Sequence, residues 1–272
     1  MHYLGAMSDD PSGLFDGDPS DTGPRGVDPA AAVRAQGRTA LPKRFYAEAG
    51  LAEGEGGFRL TLDGRPANTP ARKPLAVPTR VLGEALAAEW AAQETVIDPA
   101  TMPLTRLINT AIDGVADRRD AVIVDLAAYA GTDLVAYRAA TPERLVAAQG
   151  EAWDPILDWA HETLGARFIL SEGVMHVAQP EGSVWALETA IARVEGPFRL
   201  AALHTLTTLT GSLLIALAVL HGRLTPDAAW AAAHVDETYQ ASVWGRDEEA
   251  ETRHALRKAE FDAAATVAAL SA

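Results

Sequence analysis

The longest apolar stretch of the chain runs from Leu200 to Gly222 and contains no formally charged residue. Such a segment has no polar face, so as a helix it must be enclosed on every side, by other helices or by lipid. Its length permits either. Thr205, Thr207, Thr208, Thr210, His204 and Gly211 interrupt it, and it has neither an aromatic belt nor a basic flank, which favours a core helix over a membrane span. Pro197 suits the first turn, and Gly222 followed by Thr225-Pro226 suits the end. The pattern predicts one central helix, Phe198 to Leu220, wrapped by the others.

Upstream the periodicity is different. Phe58-Arg59-Leu60-Thr61-Leu62 alternates as a half-buried strand does, and Asp63-Gly64 after it signals a tight turn, since glycine accepts the positive φ such turns require. The preceding Gly50 to Gly57 reads as a flexible turn after a β-like start at Lys43-Arg44-Phe45-Tyr46. Four prolines between Arg65 and Pro78 permit only short edge strands or an extended crossover. Thr79 caps a predicted helix through Gln93, with Leu82, Leu86 and Trp90 on its stripe. Leu104, Leu107, Ile108 and Ala111 share the face of a second helix, with Asn109 beside it. A third helix spans Asp117 to about Tyr137, with a break or local cap at Thr132-Asp133.

Beyond this the pattern is helical: Thr141-Pro142-Glu143 through Leu164, Ser183 to Val194, the central helix, Asp227 to Val243, and Asp247 to Leu270. Residues 167–170 and 174–177 suit two short strands or extended loop. The reading is an α+β fold. A disordered acidic tail occupies 1–42, with six aspartates and three arginines, a small antiparallel β plus helix domain occupies 43–120, and an all-helical domain occupies 121–272.

Composition narrows the function. A net charge of -14 argues against binding nucleic acid or an anionic membrane, which are recognised by clustered Lys and Arg. The absence of cysteine removes disulfides, thiolate metal sites and thiol nucleophiles. The first residues lack the charged start and apolar core of a secretion signal. GxSxG, GxxxxGK and HExxH do not occur, and the glycines at 50, 54, 56 and 57 precede a strand rather than forming a dinucleotide loop.

Among the seven histidines, His234 with Glu237 is the best metal or hydrolytic pair, with His161-Glu162 elsewhere; two ligands are short of a site. The alternative is a packing stripe of Trp230, His234, Glu237, Ala241 and Trp244. His204 reads as a hydrogen-bonded core residue. Trp244-Gly245-Arg246 is followed directly by Asp247-Glu248-Glu249-Ala250-Glu251. Carboxylates are favoured at a helix start by the helix dipole, and a carboxylate beside an aromatic can also anchor a partner's Arg or Lys.

Seven stretches occur in one order: Arg44-Phe45-Tyr46, LDGRPANTP at 62–70, EWAAQ at 89–93 with Ile97-Asp98-Pro99, MPLTRLINTAID at 102–113, TDLVAYR at 132–138, TGSLLIALAVLHG at 210–222, and WGRDEEAE at 244–251. Together they resemble the assembly chaperone family for the α-subunit of the ATP synthase F(1) sector, across about Lys43 to Leu270. The resemblance implies a non-catalytic, cofactor-free, monomeric protein with no membrane span. It implies binding of unassembled F(1) α-subunit until the β-subunit pairs with it. The glutamate tied to function in the family's WG-acid-EA segment falls on Glu249, with Trp244, Gly245 and Asp247 beside it as candidate partner contacts. Trp90 matches the tryptophan of the EW segment and is read as structural, as are Gly64, Asn109 and Asp133 in their motifs. The acidic tail differs from the cleavable basic segment of mitochondrial-matrix members, which points to a bacterial cytoplasmic protein.

Overall fold

The computed structural model describes residues 41–54, 56–173, 176–245 and 247–272, so the tail expected at 1–42 lies outside the described residues but for its last two positions. Strand β1 (Ala49–Gly54) pairs antiparallel with β2 (Gly57–Leu62), Leu51 opposite Leu60. Its position corrects the flexible turn expected there: pairing along its whole length with β2 overrides the weak strand preference of a glycine-rich segment. The chain reverses at Asp63-Gly64, both at positive φ (48° and 74°), between Leu62 and its partner Arg65. Two central residues at positive φ give the twist that a two-residue hairpin needs. The Asp63 carboxylate accepts from the amides of Ala47 (2.9 Å) and Glu48 (2.8 Å), and these bonds hold its pKa below the usual carboxylate value. The proline-rich segment supplies only β3 (Arg65–Pro66) and β4 (Ala76–Val77), both on the second edge of β2.

Helix α1 (Arg80–Ala91) covers this sheet with Leu82 and Leu86, and the Thr79 hydroxyl accepts from the Leu82 amide at its start. Near its other end Glu89 caps the next helix, α2 (Pro103–Thr110). Its two oxygens accept from the amides of Leu104 and Thr105 (2.8 Å each) and from the Thr105 hydroxyl (2.6 Å). Burial pushes the pKa of Glu89 up, and the three hydrogen bonds act against that rise. A π-type turn at Ala111–Val115 leads to α3 (Arg119–Ala128).

The expected third helix through Tyr137 breaks into short 3-10 turns, and the break falls at Thr132-Asp133. β5 (Tyr137–Arg138) then pairs in parallel with β6 (Ser171–Glu172). That strand follows residues 167–170, which are coil, and precedes 174–175, which lie outside the described residues. Between β5 and β6 runs α4 (Glu143–Trp159), ending in a π-type turn that Gly165 closes.

The remaining helices are α5 (Glu181–Ala192), α6 (Pro197–Thr210), α7 (Leu213–Leu220), α8 (Pro226–Ala233), α9 (Val235–Trp244) and α10 (Glu248–Leu270). The single central helix expected from Phe198 to Leu220 is therefore two. Gly211 takes a left-handed conformation (φ 67°, ψ 12°) that closes α6, and the Ser212 hydroxyl accepts from the Ile215 amide at 3.0 Å to start α7. The expectation of enclosure holds within α7, where Leu213, Leu214, Ile215 and Leu217 have no solvent exposure. Each contributes roughly 1.5–3 kcal/mol relative to an exposed side chain. No helix among the described residues is long and apolar enough to cross a membrane.

The helix expected from Asp227 to Val243 is also two. His234 leaves helical geometry (φ -119°, ψ 29°), its amide bonds to Ala231 O, and its Nδ1 lies 2.8 Å from the Trp230 carbonyl that an unbroken helix would have used. The stripe drawn from Trp230 to Trp244 is thereby split at its second member.

Asp133 holds the α6–α7 junction from outside. With no solvent exposure, its carboxylate accepts from the Ser212 hydroxyl (2.6 Å) and the Leu214 amide (2.9 Å), while the Leu134 amide donates to Gly211 O (3.2 Å). The hydrogen bonds favour the ionised form, but burial outweighs them and pushes the pKa up to about 6. The folded state thus holds this proton more tightly than the unfolded chain does. The stabilising contribution is full below about pH 4 and is lost as pH rises through 6. Unfolding free energies of the parent and Asp133→Asn should therefore differ by a pH-dependent amount. The parent's advantage should shrink by on the order of 3 kcal/mol between pH 4 and 7 in urea titrations. A difference independent of pH would show that Asp133 does not titrate in that window.

Candidate functional site

Helix α9 ends at Gly245, whose φ of 89° turns the chain out of the helix, and Asp247 starts α10, its Oδ1 accepting from the Glu249 amide at 3.3 Å. Arg253 Nη1 donates to Glu249 Oε1 at 2.5 Å, one helical turn along, and both side chains stand mostly in solvent. Trp244 is 86% exposed, Val243 52% and Leu256 58%. The corner thus presents three large apolar side chains on the two helices that flank the carboxylates of Asp247 and Glu249.

The two ends of α10 do different things. Every residue from Glu248 to Arg257 is exposed, whereas Phe261, Ala264, Ala265, Val267 and Ala268 are buried against α6, α2 and α1. The transition is fastened to α8: Trp230 Nε1 donates to His254 Nε2 at 3.0 Å, and the Trp230 ring lies 5.1 Å from that of Phe261. Lys258 bridges Asp227 (3.0 Å) and Asp262 (2.6 Å), and Arg106 pairs with Glu260 at 3.0 Å. At the far end the Thr79 hydroxyl donates to Leu270 O. A helix exposed on all sides over its first turns gains nothing there from packing, so its position is set by its buried end.

The structure brings Trp244, Gly245, Asp247 and Glu249 together because they are neighbours in sequence. The residues read as structural lie apart from them. Trp90 is partly buried, its ring 5.7 Å from Tyr46, whose hydroxyl donates to Trp90 O at 2.8 Å; its own Nε1 is buried without a partner among the described residues. Asn109 on α2 has a buried Oδ1 in the same condition, Gly64 sits in the hairpin, and Asp133 holds the junction. Val243 and Leu256 escaped the sequence reading, since one large apolar residue in a charged helix resembles a core position and only burial tells them apart.

The metal pair does not assemble. One nitrogen of His234 is engaged by the Trp230 carbonyl, and the ring lies 4.0 Å from that of Trp230. Burial pushes the His234 pKa down, so the ring stays neutral near pH 7. Among the described residues no group of three His, Asp or Glu side chains converges as a metal site needs. His161 Nε2 faces Arg167 Nη2 at 2.6 Å. His204 is partly exposed and paired with Asp125 at 2.7 Å, rather than lying in the core.

Comparison with known proteins follows the same lines. The sequence pattern described as "ATP12 chaperone protein" matches residues 43–161. The crystal structure of Atp12 from Paracoccus denitrificans is 45% identical over 85% of this chain and 99% of that one, with a TM-score of 0.79. A point mutant of P. denitrificans Atp12p agrees equally, at 45% identity, 98% of its length and a TM-score of 0.79. The Atu1473 protein of Agrobacterium tumefaciens is 48% identical over 90% of this chain and 92% of its own, with a TM-score of 0.82.

The split along α10 makes opposite forecasts for its ends. Phe261→Ala removes a fully buried ring and should lower stability by about 3–5 kcal/mol. Glu249→Lys changes a side chain in solvent and loses only a favourable helix-start charge and an exposed pair with Arg253, so it should cost no more than about 1 kcal/mol. Urea denaturation of both variants beside the parent checks this. A loss for Glu249→Lys as large as that for Phe261→Ala would make that residue a prop of the helix rather than part of a free surface.

Proposed function

The chain belongs to the ATP12 chaperone family, and on that premise we propose that it binds newly made, unassembled α-subunit of the ATP synthase F(1) sector and prevents its aggregation until the β-subunit pairs with it. The physical need is direct: a subunit whose apolar assembly surface is unpaired associates with itself. A chaperone for it must cover that surface and then let go.

The observation that favours the α9–α10 corner as the contact is its combination of exposure and chemistry. Trp244, Val243 and Leu256 offer apolar area without unfolding anything, and Asp247 and Glu249 beside them offer charge for an Arg or Lys of the client. In this reading the helical part, 121–272, makes the contact, and the sheet and helices of 43–120 brace the buried end of α10. The protein acts as a cytoplasmic monomer without a cofactor or a catalytic step. Its net charge of -14 opposes self-association and steers it towards basic groups on the client. The metal or hydrolytic alternative centred on His234 and Glu237 has no convergent ligand set to favour it among the described residues.

Refolding F(1) α-subunit in the presence of the protein should give less light scattering and a co-eluting complex. Glu249→Lys, still folded, should lose most of both, because it turns an attractive contact repulsive. The parent's association should also weaken as salt rises. Equal protection by parent and variant would keep the function and move the contact elsewhere; no protection by either would remove the proposal.

A further inference from the structure

The segment from Arg167 to Gly173 is bonded to the body at every second residue. The Arg167 amide donates to Ser183 Oγ at 2.8 Å, and the same hydroxyl donates to Arg167 O. Gln179 meets Ile169 as a neighbouring strand would: its Oε1 accepts from the Ile169 amide (2.8 Å) and its Nε2 donates to the Ile169 carbonyl (2.9 Å). Ser171 lies opposite Tyr137 in β5, and the Gly173 amide donates to Arg138 O at 3.0 Å. A period of two is that of an extended chain, in which successive residues turn their N–H and C=O to opposite edges. The inner edge is thus satisfied by two side chains and a two-residue strand, and the outer edge carries the groups of Phe168, Leu170 and Glu172.

That outer edge is open. Phe168 and Leu170 make no hydrogen bond through N–H or C=O among the described residues. The usual protections are missing as well, since 167–173 contains neither lysine nor proline, and Ile169 and Leu170 are each 47% exposed. Arg167 is engaged with His161, whereas Glu172 is exposed and has no ion pair among the described residues. A second copy of the chain does not match this edge. Antiparallel pairing with itself, centred on Leu170, sets each Phe168 against a Glu172, and each copy carries a charge of -14. A different sequence does match: a basic residue opposite Glu172, then apolar residues two and four positions later, opposite Leu170 and Phe168.

We propose that the outer edge of 168–172 takes up an extended segment of the client, of the pattern basic-x-apolar-x-apolar, as an added antiparallel strand. The identity of the client rests on the chaperone reading given above. A newly made subunit offers such segments before its own strands are paired, and those are the segments most prone to aggregate. Backbone groups on the edge hold any extended chain, while Glu172 and Leu170 select among sequences.

The edge is tested without the client by titrating the nitrogen-15-labelled protein with the peptide N-acetyl-KTITV-amide and following backbone amides by NMR. The amides of Phe168, Leu170 and Glu172 should shift, and their exchange with solvent should slow at least tenfold at saturation. Methylating the peptide's isoleucine nitrogen, which faces Leu170 O, should abolish the shifts, whereas methylating the first threonine nitrogen, which faces solvent, should leave them. Glu172→Lys should weaken the peptide at least fivefold and favour N-acetyl-ETITV-amide instead. No shift by the unmodified peptide, or equal loss from the two methylations, would overturn the added strand. The client arm measures the dissociation constant for refolding F(1) α-subunit, which should rise several-fold in Glu172→Lys. An unchanged constant, with the peptide shifts present in the parent, would overturn the client's place on this edge. Failure of the parent to bind α-subunit at all would fall on the chaperone reading, while the peptide shifts would still decide the edge.

Discussion

Asp133 is a carboxylate without solvent, and the helical body is arranged about what it holds. The segment from Leu200 to Leu220 could have been one continuous rod. Gly211 and Ser212 bend it, and the bend exposes backbone amides that need acceptors in the interior. The Ser212 hydroxyl and the Asp133 oxygens meet that need at the start of α7, and the Gly211 carbonyl is met in turn by Leu134. Removing the carboxylate would leave three buried donors unpaired, the Ser212 hydroxyl and the amides of Leu214 and Val135, so the break and its clamp stand or fall together. Because α7 is fully enclosed and α6 packs on α10, α2 and α3, the angle set at this junction also sets where the other helices lie.

Legibility followed the range of the interactions. The hairpin at Asp63-Gly64 and the start of α1 at Thr79 are local, and they fall where their sequences put them. The division of α6 from α7 was hidden because both halves are apolar on every side, so no phase change in the pattern betrays the bend. Its partner, Asp133, is 79 residues away from Ser212. β1 was hidden by glycines whose strand character comes from β2. The break at His234 depends on a side chain displacing a backbone bond, which spacing alone does not show. Of the surface, the run from Trp244 to Glu249 was readable as contiguous sequence. Leu256, two turns beyond Glu249 on α10, is distinguished from a core position only by its exposure.

The carboxylates of Asp247 and Glu249 stand in high dielectric, where a single ion pair is weak and salt screens it. In the proposed contact they therefore act mainly by attracting opposite and rejecting like charge, while Trp244 supplies apolar area.

The long helix α10 has a mechanical meaning as well. Its first six residues, Glu248 to Arg253, are exposed and run about 9 Å before the first tie to α8 at His254, and its root is gripped by Phe261, by the Lys258 and Arg106 ion pairs and by the tie from Thr79 to Leu270. It is a cantilever. A load on the free end is resisted at the root, so torque there passes into α6, α2 and α1, whose stiffness sets how far the tip can yield.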